Sequence, residues 1–200
     1  MAQTLILGTT NVGKLRELVE LLAPHGIACR SLTGLTDAVV VEETGDTFAA
    51  NAALKATLQA QALGSWVLAE DSGLVVPALD GAPGIYSARF SGPDATDVAN
   101  NALLLERLRG ESGRRRAAHY ACHAALADPA GIVVATSSGS CGGLIAESPV
   151  GSGGFGYDPL FIVPEYQRTF GELSAAVKAV ISHRARAMRA MLPAILRHLG

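Results

Sequence analysis

Trp66-Val67-Leu68-Ala69-Glu70-Asp71-Ser72-Gly73 is the stretch from which the fold is read. Trp66 to Ala69 make a compact apolar segment with aromatic and β-branched content, closed by polar residues and glycine, the pattern of a buried strand. An acidic loop is expected at Glu70 to Gly73, followed by a short strand Leu74-Val75-Val76. Charges seldom end a buried strand unless something pairs with them. In open α/β sheets the loops at strand ends are where ligands and metals collect. Two adjacent carboxylates repel each other, and a divalent cation relieves that repulsion. A solvated turn with a side-chain cap also suits these residues, so the motif alone leaves both readings open.

On the N-terminal side, Thr4 to Gly8 reads as a first strand and Thr9 to Gly13 as a loop. A helix follows, with Leu15, Leu18, Val19 and Leu22 on one face, stopped by Pro24 and Gly26. Ala28 to Leu32 suits a second strand, and residues 47–63 an alanine-rich helix capped by Thr47 and ended by Gly64. On the C-terminal side, residues 77–95 are rich in Gly and Pro yet carry Ile85, Tyr86 and Phe90, which call for burial in an ordered loop. Thr96 to Leu108 reads as a helix, and Arg109 to Arg115 as a polar connection suited to a lobe boundary or a mobile tip. Ala117–Ala127 and Ile132–Cys141 form an expected antiparallel pair around Asp128-Pro129-Ala130-Gly131. Residues 183–199 close the chain as a helix with Met188, Met191, Leu192, Ile195 and Leu199 along one stripe. Alternating strands and helices with one hairpin make a mixed α/β fold.

Two hundred residues suit one large domain or two tightly joined lobes. With 49% hydrophobic and 17% charged residues, the composition is that of a globular protein. A net charge of −2 gives no basic footprint for a nucleic-acid polymer, while a small anion held by placed lysines and arginines remains compatible with it. No apolar run approaches the ~20 residues that span a bilayer, and no signal peptide is expected, since Lys14 follows the first apolar strand without a cleavage site. Three widely spaced cysteines without a CxxC pair argue against a disulfide framework or a zinc site and point to a reducing cytoplasm.

Four constellations could carry chemistry. Gly8-Thr9-Thr10-Asn11-Val12-Gly13-Lys14 has the spacing of a phosphate loop, but Leu15 stands where Ser or Thr would hold Mg²⁺, so a P-loop kinase is disfavoured. Free N–H groups at a helix start beside a lysine still bind phosphate, and an ordinary strand-to-helix turn has the same composition. Glu42-Glu43-Thr44-Gly45 adds two carboxylates ahead of a helix that carries Asn51 and Lys55 on one face. They serve either as compensation of the helix dipole or, with Asp71, as oxygen ligands for Mg²⁺. Gly153 to Pro159 lets backbone approach a ligand and offers Phe155 or Tyr157 for stacking, or else makes a tight corner with core aromatics. Lys178 and Ser182-His183-Arg184 place a cation, a capping serine and two donors at a helix start, suited to an anionic or carbonyl oxygen or to a plain cap.

In this order, these segments resemble the inosine triphosphate pyrophosphatase family, also called dITP/XTP pyrophosphatases. The matching stretches are Thr10 to Lys14, Glu43 to Phe48, Asn51 to Ala56, Asp71 to Leu74, Gly81 to Arg89, Gly153 to Pro159 and Ser182 to Arg184, and they span essentially the whole chain. The resemblance implies one domain over residues 1–200, built as a two-lobed α/β fold with a long mixed sheet flanked by helices and a central nucleotide cleft, and a homodimer. It implies that Thr9, Thr10, Asn11, Val12, Gly13 and Lys14 cradle the triphosphate. Asp71 is implied as general base and Mg²⁺ ligand, with Glu43, Glu42 and Glu70 as further metal ligands. Ser72, Phe155, Gly156, Tyr157, Asp158, Lys178, His183 and Arg184 are implied to line the nucleotide pocket. Three positions depart from the usual pattern: Thr10 for a glycine, Glu70 for an aspartate and Ala50 for a glutamate.

The implied reaction is Mg²⁺-dependent hydrolysis of ITP, dITP or XTP between the α and β phosphates, leaving monophosphate and pyrophosphate. A pyrophosphatase of pyrimidine or modified nucleotides, and a nucleotide-binding module without catalysis, are the competing expectations.

Overall fold

Strand alternation organises the first part of the sheet. β1 (Leu5–Leu7), β3 (Val67–Val75) and β4 (Ala117–Ala127) each turn successive side chains to opposite faces. Leu5, Leu7, Leu68, Cys122, Ala124 and Leu126 meet Leu18 and Leu22 of α1 (Val12–Leu22) and Ala187, Met188, Met191 and Ile195 of α5 (His183–Leu199). The intervening Ile6, Val67, Ala69, Ala125 and Ala127 meet Ala52, Ala56 and Ala60 of α2 (Phe48–Leu63). Small side chains on α2 let that helix lie close against the strands.

The computed structural model describes residues 4–199. With β2 (Cys29–Ser31), β5 (Val133–Ile145), β6 (Phe161–Val163) and β7 (Arg168–Thr169), the strands form one seven-stranded sheet in the order β2-β1-β3-β4-β5-β6-β7. It is mixed: β1 runs parallel to β2 and β3, whereas β6 is antiparallel to β5 and β7. Among the described residues no helix is long and apolar enough to cross a membrane.

The described chain divides into two compact units. One holds the residues through Asp71, then Cys122–Gly139 and the chain from His183 on; the other holds Ser72–Ala121 and Ser140–Ser182. The second unit contains α3 (Asp97–Arg107), α4 (Ala175–Ile181) and a core in which Leu74, Leu104, Tyr120, Ile145 and Tyr157 surround the stacked rings of Phe161 and Phe170, 5.3 Å apart.

Four expectations are corrected. The strand–loop–strand reading of residues 66–76 gives way to one continuous strand, β3, which runs through the acidic pair. The charges are tolerated inside it because each meets a cation on its own face, as described below. The boundary between units lies within β3, β4 and β5 and ahead of α5, not at Arg109–Arg115. That connection is held by the buried Arg116, whose guanidinium donates to the carbonyls of Leu108, Glu111, Ile145 and Ala146. Tyr86 is 56% exposed rather than buried, with the Arg89 guanidinium 5.2 Å from its ring centre. Finally, the first helix begins at Val12, inside the expected loop, because the Asn11 side chain caps it by accepting from the Lys14 N–H at 3.0 Å.

Candidate active site

Because β3 alternates, Glu70 and Asp71 point to opposite faces. Asp71 follows Val67 and Ala69 onto the α2 face, where its Oδ2 accepts from Asn51 Nδ2 at 3.3 Å and its Oδ1 pairs with Lys55 Nζ at 3.1 Å. Glu43 Oε1 reaches the same ammonium at 2.6 Å. Asn51 also accepts from the Gly45 N–H at 2.8 Å, which ties the Glu43–Gly45 segment to the start of α2. Gly45 is required there, since a Cβ would lie 2.7 Å from Asn51 Oδ1. Thr47 caps α2 by accepting from the Ala50 N–H. Burial disfavours the charged Lys55, but Asp71 and Glu43 outweigh it and its pKa is raised. Water reaches the edge of this set, for the Glu43 side chain is 25% exposed. Glu42, expected beside it as a metal ligand, is exposed at the surface.

Two carboxylates already converge on one cation here, which is the donor chemistry that Mg²⁺ asks of a protein: one or two carboxylates, the remaining positions going to water and phosphate. Among the described residues no group of three or more His, Cys, Asp or Glu could hold a metal by itself. The set offers two carboxylates, both engaged by the Lys55 ammonium.

Glu70 follows Leu68 onto the α1–α5 face. Its Oε1 accepts from Arg184 Nε at 3.1 Å and Nη2 at 3.0 Å, and lies 3.4 Å from Lys14 Nζ. Its Oε2 is 3.1 Å from the Cys122 thiol, and Arg184 also binds Glu17 of α1. Burial alone would raise the Glu70 pKa, yet Arg184, then Lys14 and the Cys122 hydrogen bond, hold it well below the usual carboxylate range. The Cys122 thiol is pushed up by burial and by Glu70. His183 is buried at the head of α5 beside this network.

The expected phosphate loop ends in the first turn of α1, with Thr10, Asn11 and Val12 exposed and Thr9 Oγ1 accepting from the Asn11 N–H at 3.2 Å. No acidic side chain occupies that turn, and Asn11 caps its Lys14 N–H. Lys14 leaves the same turn and leans on Glu70.

In the second unit, Asp158 and Lys178 form a buried ion pair at 2.5 Å. Asp158 Oδ2 also accepts from the Phe155 N–H, and the Lys178 ammonium sits 4.8 Å from the centre of the Phe155 ring. Gly154 makes this corner possible: its φ is +75° and a Cβ would strike Asp158. Tyr157 is a core residue whose hydroxyl donates to the Ser87 carbonyl, so of the two candidate rings it is the partly exposed Phe155 that is displayed. Ser72 lies in β3, directly after Asp71. Ser182 is buried and caps the end of α4.

Sequence reasoning singled out Asn51 and Lys55 without assigning them a site. It missed Glu17, Cys122, Asp97 and Asn101. The spacing of Lys14 and Glu17 in one helix, and of Asp97 and Asn101 in another, was the available signal.

Residues 5–194 match the Ham1 family. The chain is 52% identical over 193 residues to a dITP/XTP pyrophosphatase of Rhodopirellula baltica, covering 96% of this chain and 93% of that protein. It is 54% identical over 185 residues to a dITP/XTP pyrophosphatase of an Exiguobacterium species, covering 92% and 93%. A solved Ham1 protein from Coxiella burnetii superposes with a TM-score of 0.87 at 37% identity, covering 98% of this chain and 99% of the other.

Proposed function

This chain belongs to the Ham1 family, and on that premise we propose that it hydrolyses non-canonical purine nucleoside triphosphates (dITP, XTP and ITP) to monophosphate and pyrophosphate. The observation that carries the reading is the convergence of Asp71 and Glu43 on one cation, in a chain half identical to relatives named for this reaction.

Hydrolysis of the α–β anhydride asks for a positioned water and for compensation of charge on the departing pyrophosphate. Asp71 is the general base: Asn51 fixes one of its oxygens and Lys55 steadies the other, so the carboxylate is aimed before substrate arrives. Asp71 and Glu43 would hold a Mg²⁺ that arrives with the triphosphate. When bound, that ion screens the phosphate charge and polarises the phosphoryl oxygens. The first-turn N–H groups of α1, with Thr9 to Gly13 around them, take phosphate oxygens, and Lys14 meets the charge that develops on the leaving group. Glu70 orients Lys14 and Arg184 and is assigned no metal. Phe155 is the ring on which the purine stacks, kept in place by Asp158 at its N–H and by the Lys178 ammonium against its ring. A donor from the His183–Arg184 pair set against a purine 6-oxygen admits hypoxanthine and xanthine. It rejects adenine, whose 6-amino group is itself a donor, by ~10⁴-fold where the polar partner would be left unpaired.

The single domain acts as a homodimer in the cytoplasm; three free thiols suit a reducing compartment. The test is product identification with Mg²⁺ and ITP, dITP, XTP, GTP, ATP and pyrimidine triphosphates. Pyrophosphate from the first three is expected, and equal turnover of ATP would overturn the base assignment.

A further inference from the structure

We propose that Asp97 and Asn101 of α3 are positioning residues for the Phe155 ring, acting through the Gly156 peptide that they grip at both its donor and its acceptor. Asp97 Oδ2 accepts from the Gly156 N–H at 2.7 Å, and Asn101 Nδ2 donates to the Gly156 carbonyl at 3.0 Å. The two side chains are four residues apart in α3 and share one helix face. Gly156 has a φ of +62°, outside both strand and right-handed helix, so its orientation comes from what holds it. On its far side Tyr157 is anchored in the core, and on its near side Phe155 is tied by its N–H to Asp158. With the α3 grip, every peptide from Phe155 to Asp158 is fixed, and the one ring displayed from the segment cannot drift.

The chemistry of Asn101 separates this role from simple stabilisation. The residue is 9% exposed, and its Oδ1 makes no hydrogen bond among the described residues. A buried acceptor without a partner is costly, and an apolar side chain at this position would avoid the cost. What the amide supplies and an apolar residue cannot is the donor to Gly156. Asp97 is exposed at the first turn of α3, where its carboxylate also suits the helix dipole.

The inference rests on Phe155 serving as the stacking platform for the base. The test is a double-mutant cycle on KM for ITP. Asn101→Leu is expected to raise KM about tenfold, with kcat changed less and the melting temperature held within a few degrees. The same substitution made in a Phe155→Leu protein is expected to add little, because the ring it positions is gone. Asp97→Ala, on the surface, is expected to raise KM as well, and Asp97→Asn, which keeps an acceptor for Gly156, to restore most of it. If Phe155→Leu raises KM but the Asn101 effect is absent or multiplies with it unchanged, the positioning role is overturned while the platform stands. If Phe155→Leu leaves KM unchanged, the platform reading falls and the positioning role with it.

Discussion

Glu70 and Asp71 adjoin in sequence and share one strand, yet the two faces they occupy are built for different ends. On the Glu70 face the carboxylate and its partner are closed off from water, with side-chain exposures of 0% for Glu70 and 1% for Arg184. The network there joins β3 to α1 through Lys14 and to α5 through Arg184, which is held by Glu17 as well. On the Asp71 face the carboxylate is held by one amide and one ammonium, and the ammonium is shared with Glu43 at the solvent edge. A strand places neighbours on opposite faces, so an acidic pair that suggests one metal site resolves into two sites. The first anchors the helix starts that carry Lys14 and Arg184. The second is the one to which the proposed base and metal ligand belong.

Four substitutions break or sharpen this contrast. The largest effect belongs to Asp71→Asn, which keeps a group for Asn51 and removes the base. Pyrophosphate release is expected to fall by about 10³-fold or more, with nucleotide binding retained in a titration. Turnover near that of the parent protein would erase the distinction between the faces. Next comes Arg184→Met, which leaves Glu70 buried with the longer Lys14 contact as its one paired cation and the Cys122 thiol as a donor. Denaturant unfolding is expected to show a loss of about 3 kcal/mol. A loss below about 1 kcal/mol would mean that the network contributes little to folding. Glu43→Gln, at the edge of the other face, is expected to raise the Mg²⁺ concentration for half-maximal rate at least tenfold with little effect on stability. An unchanged Mg²⁺ requirement would remove Glu43 from the ligand set.

The smallest effect is a slope. An unfolded Glu takes up its proton near pH ~4.3, whereas folded Glu70 resists it to well lower pH because Arg184 and Lys14 outweigh its burial. The unfolded state then binds more protons below that pH, so this contribution is complete above about pH 5 and is lost as pH falls toward the folded pKa. Glu70→Gln should flatten the fall of stability between about pH 4 and pH 2 by about 1.4 kcal/mol per pH unit. A slope equal to that of the parent would place the acid sensitivity elsewhere.

Much of the architecture was legible because it rests on local rules. Thr47 caps its helix as its position predicts, and Asp128 Oδ1 accepts from the Ala130 and Ile132 N–H groups in the hairpin turn. The continuity of β3 was not legible, since sequence shows two charges where a strand would end and does not show the cations that meet them from Lys14, Lys55 and Arg184. Those partners stand as far as 114 positions away, so no local pattern reveals them. The exposure of Tyr86 escaped for a related reason: an aromatic in a Gly- and Pro-rich loop suggests burial, and the Arg89 side chain that accompanies it outside is a tertiary matter. In the candidate site, residue types and spacing pointed to the Asp71, Glu43, Lys14 and Phe155 segments. Which carboxylate faces which helix came only from the pleat.

The most direct test of the central claim is hydrolysis of ITP with Mg²⁺ in water enriched in oxygen-18, with mass analysis of both products. The account predicts pyrophosphate as the leaving group and a single heavy oxygen in the monophosphate, as expected for water aimed by Asp71 at the α-phosphorus. Label in the pyrophosphate, or release of orthophosphate instead, would contradict it.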